Sequence, residues 1–282
     1  MRVMELFDLK GKIAAITGGG GDLCGTMADA LGEIGVKVAI LDANLENAKK
    51  REKVIIDAGG EAKAFCCNVL EEEQLKKSFE EIRGLWGVPE LLINGAGGNN
   101  PLGSTTKEFL ETEDSNRDGV IGFLDLDFAG VSKVFDLNFL GTFLATKIFS
   151  RGMIENQKGV VVNIASMSGF TPLTKVMAYS AAKAAVANFT RWLAVHFSRI
   201  GIRVNAIAPG FFMTEQLRFL HIDQKTGEYT PRARKVIAHT PMGRYGDPED
   251  LIGVLIWLLS GASKFVTGVV VPVDGGFSSY SI

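Results

Sequence analysis

What most restricts this chain is a regular alternation of short β-branched runs with helix-length amphipathic segments, opened by a glycine-rich turn. The runs are Lys12–Thr17, Val36–Leu41, Ala62–Cys67, Glu90–Asn94, Gly159–Ala165, Arg203–Ile207 and Gly268–Val273. Between them, Asn44–Ala58, Glu71–Arg83, Val131–Asn156, Val176–Ile200 and Pro248–Leu259 carry a helical period. Strands that alternate with helices are joined by right-handed crossovers, which build a parallel sheet covered on both faces. The expected fold is therefore α/β, a doubly wound sheet of about seven parallel strands. No linker, repeat or low-complexity tract interrupts it, so residues 1–282 read as a single domain. Ligands of such sheets bind beyond the carboxyl ends of the strands, near the point where strand order reverses. Functional residues are expected just after strands.

Composition narrows the classes of function. Hydrophobic residues make up 46% and charged residues 22%, which suits a globular chain with a large core. A formal net charge of −2 with no basic block leaves nucleic acid without its electrostatic footprint. The most apolar helical stretch, Leu251 to Leu259, is too short to span a bilayer, and MRVMELFDLKGK has no signal-peptide core. Cys24, Cys66 and Cys67 make no disulfide framework and fit reduced thiols. A cytoplasmic protein with no membrane, metal or nucleic-acid partner is expected.

The first run ends in Thr17-Gly18-Gly19-Gly20-Gly21-Asp22-Leu23-Cys24-Gly25 and passes into a helical stretch, TMADALGEIG. Glycines let backbone approach a pyrophosphate closely, and the following helix N-terminus offers free N–H groups and a positive dipole end. A glycine turn alone is a weak signal. Its place after the first strand of a βαβ unit makes Gly18, Gly21, Asp22 and Leu23 candidates for a dinucleotide site. The second run leads to Asp42, whose carboxylate can accept hydrogen bonds from both adenosine ribose hydroxyls and would repel a 2′-phosphate. No arginine follows it to compensate, so NAD is expected over NADP. A solvated aspartate capping the next helix is the plainer alternative. Asn94-Gly95-Ala96-Gly97 closes the fourth run, where small residues would let a ribose lie against backbone. A simple turn explains the same four residues.

One stretch breaks the rhythm. From Gly98 to Gly130 the chain is rich in Gly, Asn and Asp, with FLDLDF near its end. A segment this long inside a compact domain is usually functional or mobile. A substrate-side insertion and a tolerated surface insertion are both open.

Tyr179-Ser180-Ala181-Ala182-Lys183 sets a tyrosine and a lysine four apart, on one helical face. Positive charge beside a phenol favours phenolate, although such a pair taken alone is more often structural. Ser166 ends the run VVVNIAS, and Asn138 lies in FDLNFLGT. Together with TGGGGDLCG, Asp42, NGAG, Pro209-Gly210-Phe211-Phe212-Met213-Thr214 and the closing VVPVDGGF, these residues resemble the short-chain dehydrogenase/reductase family over nearly the whole chain. The resemblance implies a Rossmann-type NAD enzyme acting on CH–OH groups, with Asn138, Ser166, Tyr179 and Lys183 as its catalytic set. In that scheme Tyr179 is the general acid/base and Ser166 hydrogen-bonds the substrate oxygen. Lys183 holds the nicotinamide ribose, and Asn138 anchors a water that relays protons. Thr214 binds the nicotinamide carboxamide beside Pro209, Gly210 and Phe212, while Asn94, Ala96 and Gly97 line the adenosine side. Asn68-Val69 matches an adenine-binding Asp-Val pair, with Asn in place of Asp. Asp22 and Cys24 depart from the family by standing where glycines are usual. Asp22 either caps the helix or brings its charge close to a pyrophosphate.

Within that family, LLINGAGGNNP, FDLNFLGTF, SMSGFTPLTKVMAYSAAKAAVANFTRWLAVHF, NAIAPGFFMTEQ and IAHTPMGRYGDPEDL look like the D-mannonate oxidoreductases of the short-chain type, or fructuronate reductases. That group interconverts D-mannonate and D-fructuronate. A sugar-acid pocket would be bounded by Gly98–Gly130, by Ser168 to Lys175 and by Phe211 to Gln216. Asn99, Asn100, Ser168, Thr171, Thr174 and Gln216 would serve hydroxyls, and Lys175 a carboxylate. Each of these is individually more often a surface group; their collective polarity is what favours a sugar. Gluconate 5-dehydrogenase, another sugar or polyol dehydrogenase, and a 3-oxoacyl reductase are the alternatives within the class. A non-catalytic NAD-sensing protein is the alternative outside it, and the intact set of four argues against that. The resemblance further implies a homotetramer or homodimer that pairs through Val131–Asn156 and Val176–Ile200. Phe189, Trp192 and Phe197 lie on the second segment and would serve equally as intrachain core.

Overall fold

Aliphatic and β-branched residues fill seven strands: β1 (Ile13–Thr17), β2 (Lys37–Asp42), β3 (Glu61–Cys66), β4 (Leu91–Asn94), β5 (Gly159–Ile164), β6 (Ile202–Pro209) and β7 (Val270–Val273). The computed structural model describes residues 2–281; the side chains of Ser115, Asn116, Gln216 and Leu220 lie outside the described set. The strands form one parallel sheet in the order β3-β2-β1-β4-β5-β6-β7. Direction of winding reverses between β1 and β4, whose register sets Thr17 beside Asn94. A crevice opens at such a point, beyond the carboxyl ends of the strands.

Nine α-helices are described: α1 (Asp22–Glu33), α2 (Leu45–Asp57), α3 (Glu72–Trp86), α4 (Phe128–Phe135), α5 (Gly141–Glu155), α6 (Met177–Phe197), α7 (Glu215–His221), α8 (Pro231–His239) and α9 (Ile252–Leu259). Strand residues alternate between two cores, as the two-residue period requires. Ala14, Ile16, Val38 and Ile40 meet Met27 and Leu31 of α1 and Leu255 and Leu258 of α9. Ala15, Ala39 and Leu41 face Leu75 and Phe79 of α3, Phe149 and Met153 of α5, and Leu193 of α6. Burying one such aliphatic or aromatic side chain is worth about 1.5–3 kcal/mol, against about 0–1 kcal/mol for an exposed ion pair. Phe149 and Ile40, fully buried, therefore hold the layers together more than Lys53–Asp57 or Lys76–Glu73 do.

Two helices differ from the sequence reading. The first starts at Asp22, four residues before the amphipathic stretch. Val131–Asn156 is helical as expected, but the run begins at Phe128 and contains a π-type turn at Asp136–Leu140 that divides α4 from α5. The 98–130 stretch contains short 3₁₀ turns at Pro101–Gly103 and Phe123–Asp125. It is tied to the loop before α6 by Thr105 N–H to the Lys175 carbonyl (2.9 Å) and to α8 by the Glu108–Lys235 ion pair (2.9 Å). Among the described residues no helix is long and apolar enough to cross a membrane, and no cluster of His, Cys, Asp and Glu could hold a metal ion.

Candidate active site

The glycine turn is built against the loop after β4. Thr17 Oγ1 accepts hydrogen bonds from the Gly95 and Ala96 N–H groups, at 3.1 and 3.3 Å. Gly18 has φ +66°, and a Cβ there would come within 2.8 Å of the Ala96 Cα; only glycine takes both the conformation and the space. Asp42, at the end of β2, accepts from Gly20 N–H (3.0 Å) and Asn44 N–H (2.8 Å) and faces the same cleft. No described lysine or arginine forms an ion pair with it.

Asp22 does not cap the helix, although it lines the cleft beside the glycine turn. The N-cap of α1 is Gly21, and the Asp22 carboxylate turns toward α7, accepting from Glu215 N–H at 2.8 Å. Cys24 is buried under the turn, and burial pushes its thiol up to about 12, so it stays an inert packing group. Small size at Gly97 also matters: a Cβ would meet Asn138 Oδ1 at 2.6 Å and Lys183 Nζ at 3.1 Å. Bare backbone on one side and the free N–H groups of the α1 N-terminus on the other form a cradle that fits a dinucleotide.

The chemistry-bearing residues come from three elements. Ser166 follows β5 and caps a short turn, its Oγ accepting from Ser168 N–H (3.2 Å) and Ser168 Oγ (3.0 Å). Tyr179 and Lys183 project from one face of α6. Lys183 Nζ donates to the Ile164 carbonyl at 2.8 Å and lies 5.7 Å from the centre of the Tyr179 ring. Asn138 sits in the π-type turn, where the widened helix frees the Val134 carbonyl. Its Nδ2 donates to that carbonyl (2.8 Å) and to Gly98 O (2.7 Å), while Oδ1 accepts from Gly98 N–H (3.2 Å).

Burial sets the acidities here. It pushes the Tyr179 phenol above its ordinary value, with the Ser166 hydroxyl pulling the other way. Burial also lowers the Lys183 ammonium to about 8, an effect that Cys24 opposes. The lysine-driven fall expected for Tyr179 is therefore outweighed: desolvation of a buried phenol dominates, and Lys183 is held on a backbone carbonyl.

One cleft of about 600 Å³ collects Gly18, Gly21, Asp22, Leu23, Asp42, Ala96, Gly97 and Asn99 with Ser166, Tyr179, Lys183, Gly210, Phe212 and Thr214. Other expected residues lie outside its lining. The Asn94 amide points into the interior, donating to Thr146 Oγ1 and Asn163 Oδ1, both at 2.8 Å. Val69 packs in the core beneath α5, and Asn68 binds its own turn through Leu70 N–H and Gln74 Oε1. Pro209 and Ser168 are buried behind the wall. Lys175 has φ +73° and gives its carbonyl to Thr105; its ammonium is near Glu108, outside the lining. The Gln216 side chain is outside the described residues.

A family model described as enoyl-(acyl carrier protein) reductase matches residues 23–278. Relatives agree along the full chain. An uncharacterized oxidoreductase of Haemophilus influenzae is 47% identical over 284 residues, covering 100% of this chain and 98% of its own length. The uncharacterized oxidoreductase UxuB of Bacillus subtilis is 48% identical over 275 residues, 97% of each chain. The chain belongs to the short-chain dehydrogenase/reductase family. Among solved structures, one from Haemophilus influenzae with bound NAD, provisionally named a D-mannonate oxidoreductase, superposes with a TM-score of 0.92 at 48% identity, covering 97% of both chains. As a short-chain dehydrogenase/reductase this protein is an oxidoreductase enzyme.

This dehydrogenase also has cleft residues that sequence reasoning missed. Val176 precedes α6, Leu217 and His221 come from α7, and Arg232 comes from the first turn of α8, while Leu173 lies in the expected Ser168–Lys175 boundary. His221 is buried, its Nδ1 lying 2.7 Å from the Tyr245 hydroxyl. Nothing in the local pattern of FLHIDQKTGEYTPRARK marks His221 or Arg232, because long-range folding of α7 and α8 onto the cleft brings them in.

Proposed function

We propose that this enzyme is a cytoplasmic, NAD-dependent sugar-acid dehydrogenase that interconverts D-mannonate and D-fructuronate. The observation that carries this reading is the convergence of Ser166, Tyr179 and Lys183 on the cleft that holds the glycine turn and Asp42. Gly18, Gly21 and Leu23 would hold the pyrophosphate of the dinucleotide, Asp42 the adenosine ribose, and Gly210, Phe212 and Thr214 the nicotinamide end. NAD(H), when bound, supplies or accepts the hydride at the carbinol carbon. Tyr179 takes or returns the hydroxyl proton, and Ser166 orients the reacting oxygen. Lys183 places positive charge beside the phenol, opposing the cost of burying phenolate. Asn138 fixes Gly98 and the Gly97 backbone against Lys183, and the relayed proton leaves along this side.

The sugar acid is supported by the provisional name of the similar Haemophilus structure. A screen of hexonates and hexuronates with NAD(H) tests the reading. D-mannonate and D-fructuronate should give the highest kcat/KM; a better rate with gluconate, a neutral polyol or a 3-oxoacyl thioester overturns the assignment. Assembly into a homodimer or homotetramer belongs to the same proposal. Trp192 and Val195 stand exposed on α6 and Phe143 on α5, whereas Phe197 is spent on the intrachain core.

A further inference from the structure

Arg232 is a half-buried residue on the wall of the catalytic cleft, with no ion pair or side-chain hydrogen bond to any described residue. An arginine on a cleft wall with no protein partner leaves its N–H fork open to an anionic ligand. Glu108, contributed by the 98–130 stretch, lies within electrostatic range of Arg232 but is already committed to Lys235 at 2.9 Å. That carboxylate feels three cations, Lys235, Lys175 and Arg232. Glu108 therefore shares its charge among several cations and is no dedicated partner for Arg232.

The neighbouring His221 adds no charge. Burial, and then Arg232 itself, holds its imidazole below the ordinary value, so it is neutral near pH 7. It keeps a polar edge on the same wall and is anchored through Nδ1 to Tyr245. The positive charge facing the cleft on this wall thus belongs to Arg232, whose planar fork matches a carboxylate in two-point geometry.

Resting on the sugar-acid reading above, we propose that Arg232 binds the substrate carboxylate and makes sugar acids, not neutral polyols, the preferred substrates. A linear hydroxy acid is then fixed at two places. Its reacting hydroxyl meets Ser166 and Tyr179, and its carboxylate meets a guanidinium supplied by α8. Lys175, which the sequence offered for this role, remains at the rim beside Glu108.

The test compares a hexonate with its uncharged hexonamide, using wild type, Arg232→Gln and Arg232→Lys. Wild type should favour the acid, and Arg232→Gln should raise the acid's KM roughly 10- to 100-fold, the range of a lost charge-assisted contact. The amide's KM should rise far less, because its carbonyl accepts a hydrogen bond but carries no charge, while NADH affinity by fluorescence and the melting temperature should be unchanged. Arg232→Lys should recover part of the loss, since it keeps the charge without the fork. Equal loss on acid and amide would assign Arg232 a structural role and overturn the proposal. So would a wild type that treats acid and amide alike, which is readable even if the variants fail to fold. An enzyme that oxidises hexonates with KM unaffected by Arg232→Gln also overturns it, while leaving the sugar-acid reading intact. Failure of wild type on every hexonate and hexuronate is instead the failure of that earlier reading.

Discussion

The carboxylate of Asp22 accepts a 2.8 Å hydrogen bond from the main-chain N–H of Glu215, 193 residues further along the chain. It joins the first turn of α1, in the cofactor cradle, to the first turn of α7, whose Leu217 and His221 line the cleft. A residue that departs from the family's glycine pattern thus serves as a strut between the two halves of the site. Asp22→Ala should loosen α7 and raise substrate KM about tenfold, at a stability cost near 1 kcal/mol. Asp22→Asn keeps an acceptor oxygen and should stay close to wild type. Hydrogen exchange of the α7 amides, read beside KM, checks this; unchanged exchange in Asp22→Ala removes the strut.

In the proposed cofactor site, Asp42 would set cofactor choice by charge. Its carboxylate faces the cleft with no lysine or arginine paired to it, so a 2′-phosphate would meet uncompensated repulsion. NAD should be preferred over NADP in wild type, and Asp42→Asn should shrink that preference roughly 10- to 100-fold. Asparagine retains one acceptor for Gly20 or Asn44, which limits damage to the turn. The ratio of kcat/KM for the two cofactors is the readout, and a wild type that works better with NADP refutes the role.

Much of this was legible in the sequence because the informative signals are local. Periodicity located all seven strands, since a parallel sheet buried on both faces leaves continuous β-branched runs such as VAILD and VVVNI. Ser166, Tyr179 and Lys183 were legible for a similar reason: each sits just past a strand or at fixed helical spacing. The direction in which a residue points was not. Asn94 sits at the right strand end, yet its amide turns into the core toward Thr146 and Asn163, which lie far away in sequence. The π-type turn at Asp136–Leu140 was hidden because its residues keep an ordinary helical pattern, and the Asn138–Val134 bond appears only in three dimensions. Arg232 was missed for the same cause: PRARK reads as a solvated charge run, and its position on the cleft depends on where α8 docks.

Lys183 makes stability depend on pH in a defined direction. Burial lowers its ammonium from 10.5 to about 8. Between those values the unfolded chain holds a proton that the folded chain has released, so this group's contribution to stability rises with pH across that window. Below about 8 both states are charged, and the cost of burying the ammonium is felt in full. Lys183→Met lacks the titration, so its stability relative to wild type should be greatest near pH 7 and should diminish toward pH 10. Urea unfolding of both proteins across that range measures the gap. A gap that does not change with pH means the ammonium is not desolvated.

The phenol of Tyr179 is the group on which the proposed chemistry turns, and its hydroxyl can be removed without disturbing the packing. Tyr179→Phe keeps the ring against Val134 and Ala178 and deletes only the hydroxyl that meets Ser166. Loss of that single contact should cost about 1 kcal/mol or less, so melting temperature and NADH affinity should barely move. General acid–base catalysis typically contributes roughly 10²–10⁴-fold, and kcat should fall by at least that much in both directions. Replacing Lys183 should give a different pattern, with weaker NADH binding accompanying the lost turnover, since that ammonium is placed to meet the cofactor as well as the phenol. An ultraviolet difference titration of wild type against Tyr179→Phe should place the buried phenol above its ordinary value, in line with desolvation outweighing the Ser166 contact. A folded Tyr179→Phe enzyme that binds NADH and turns over at near wild-type rate would remove Tyr179 from the mechanism.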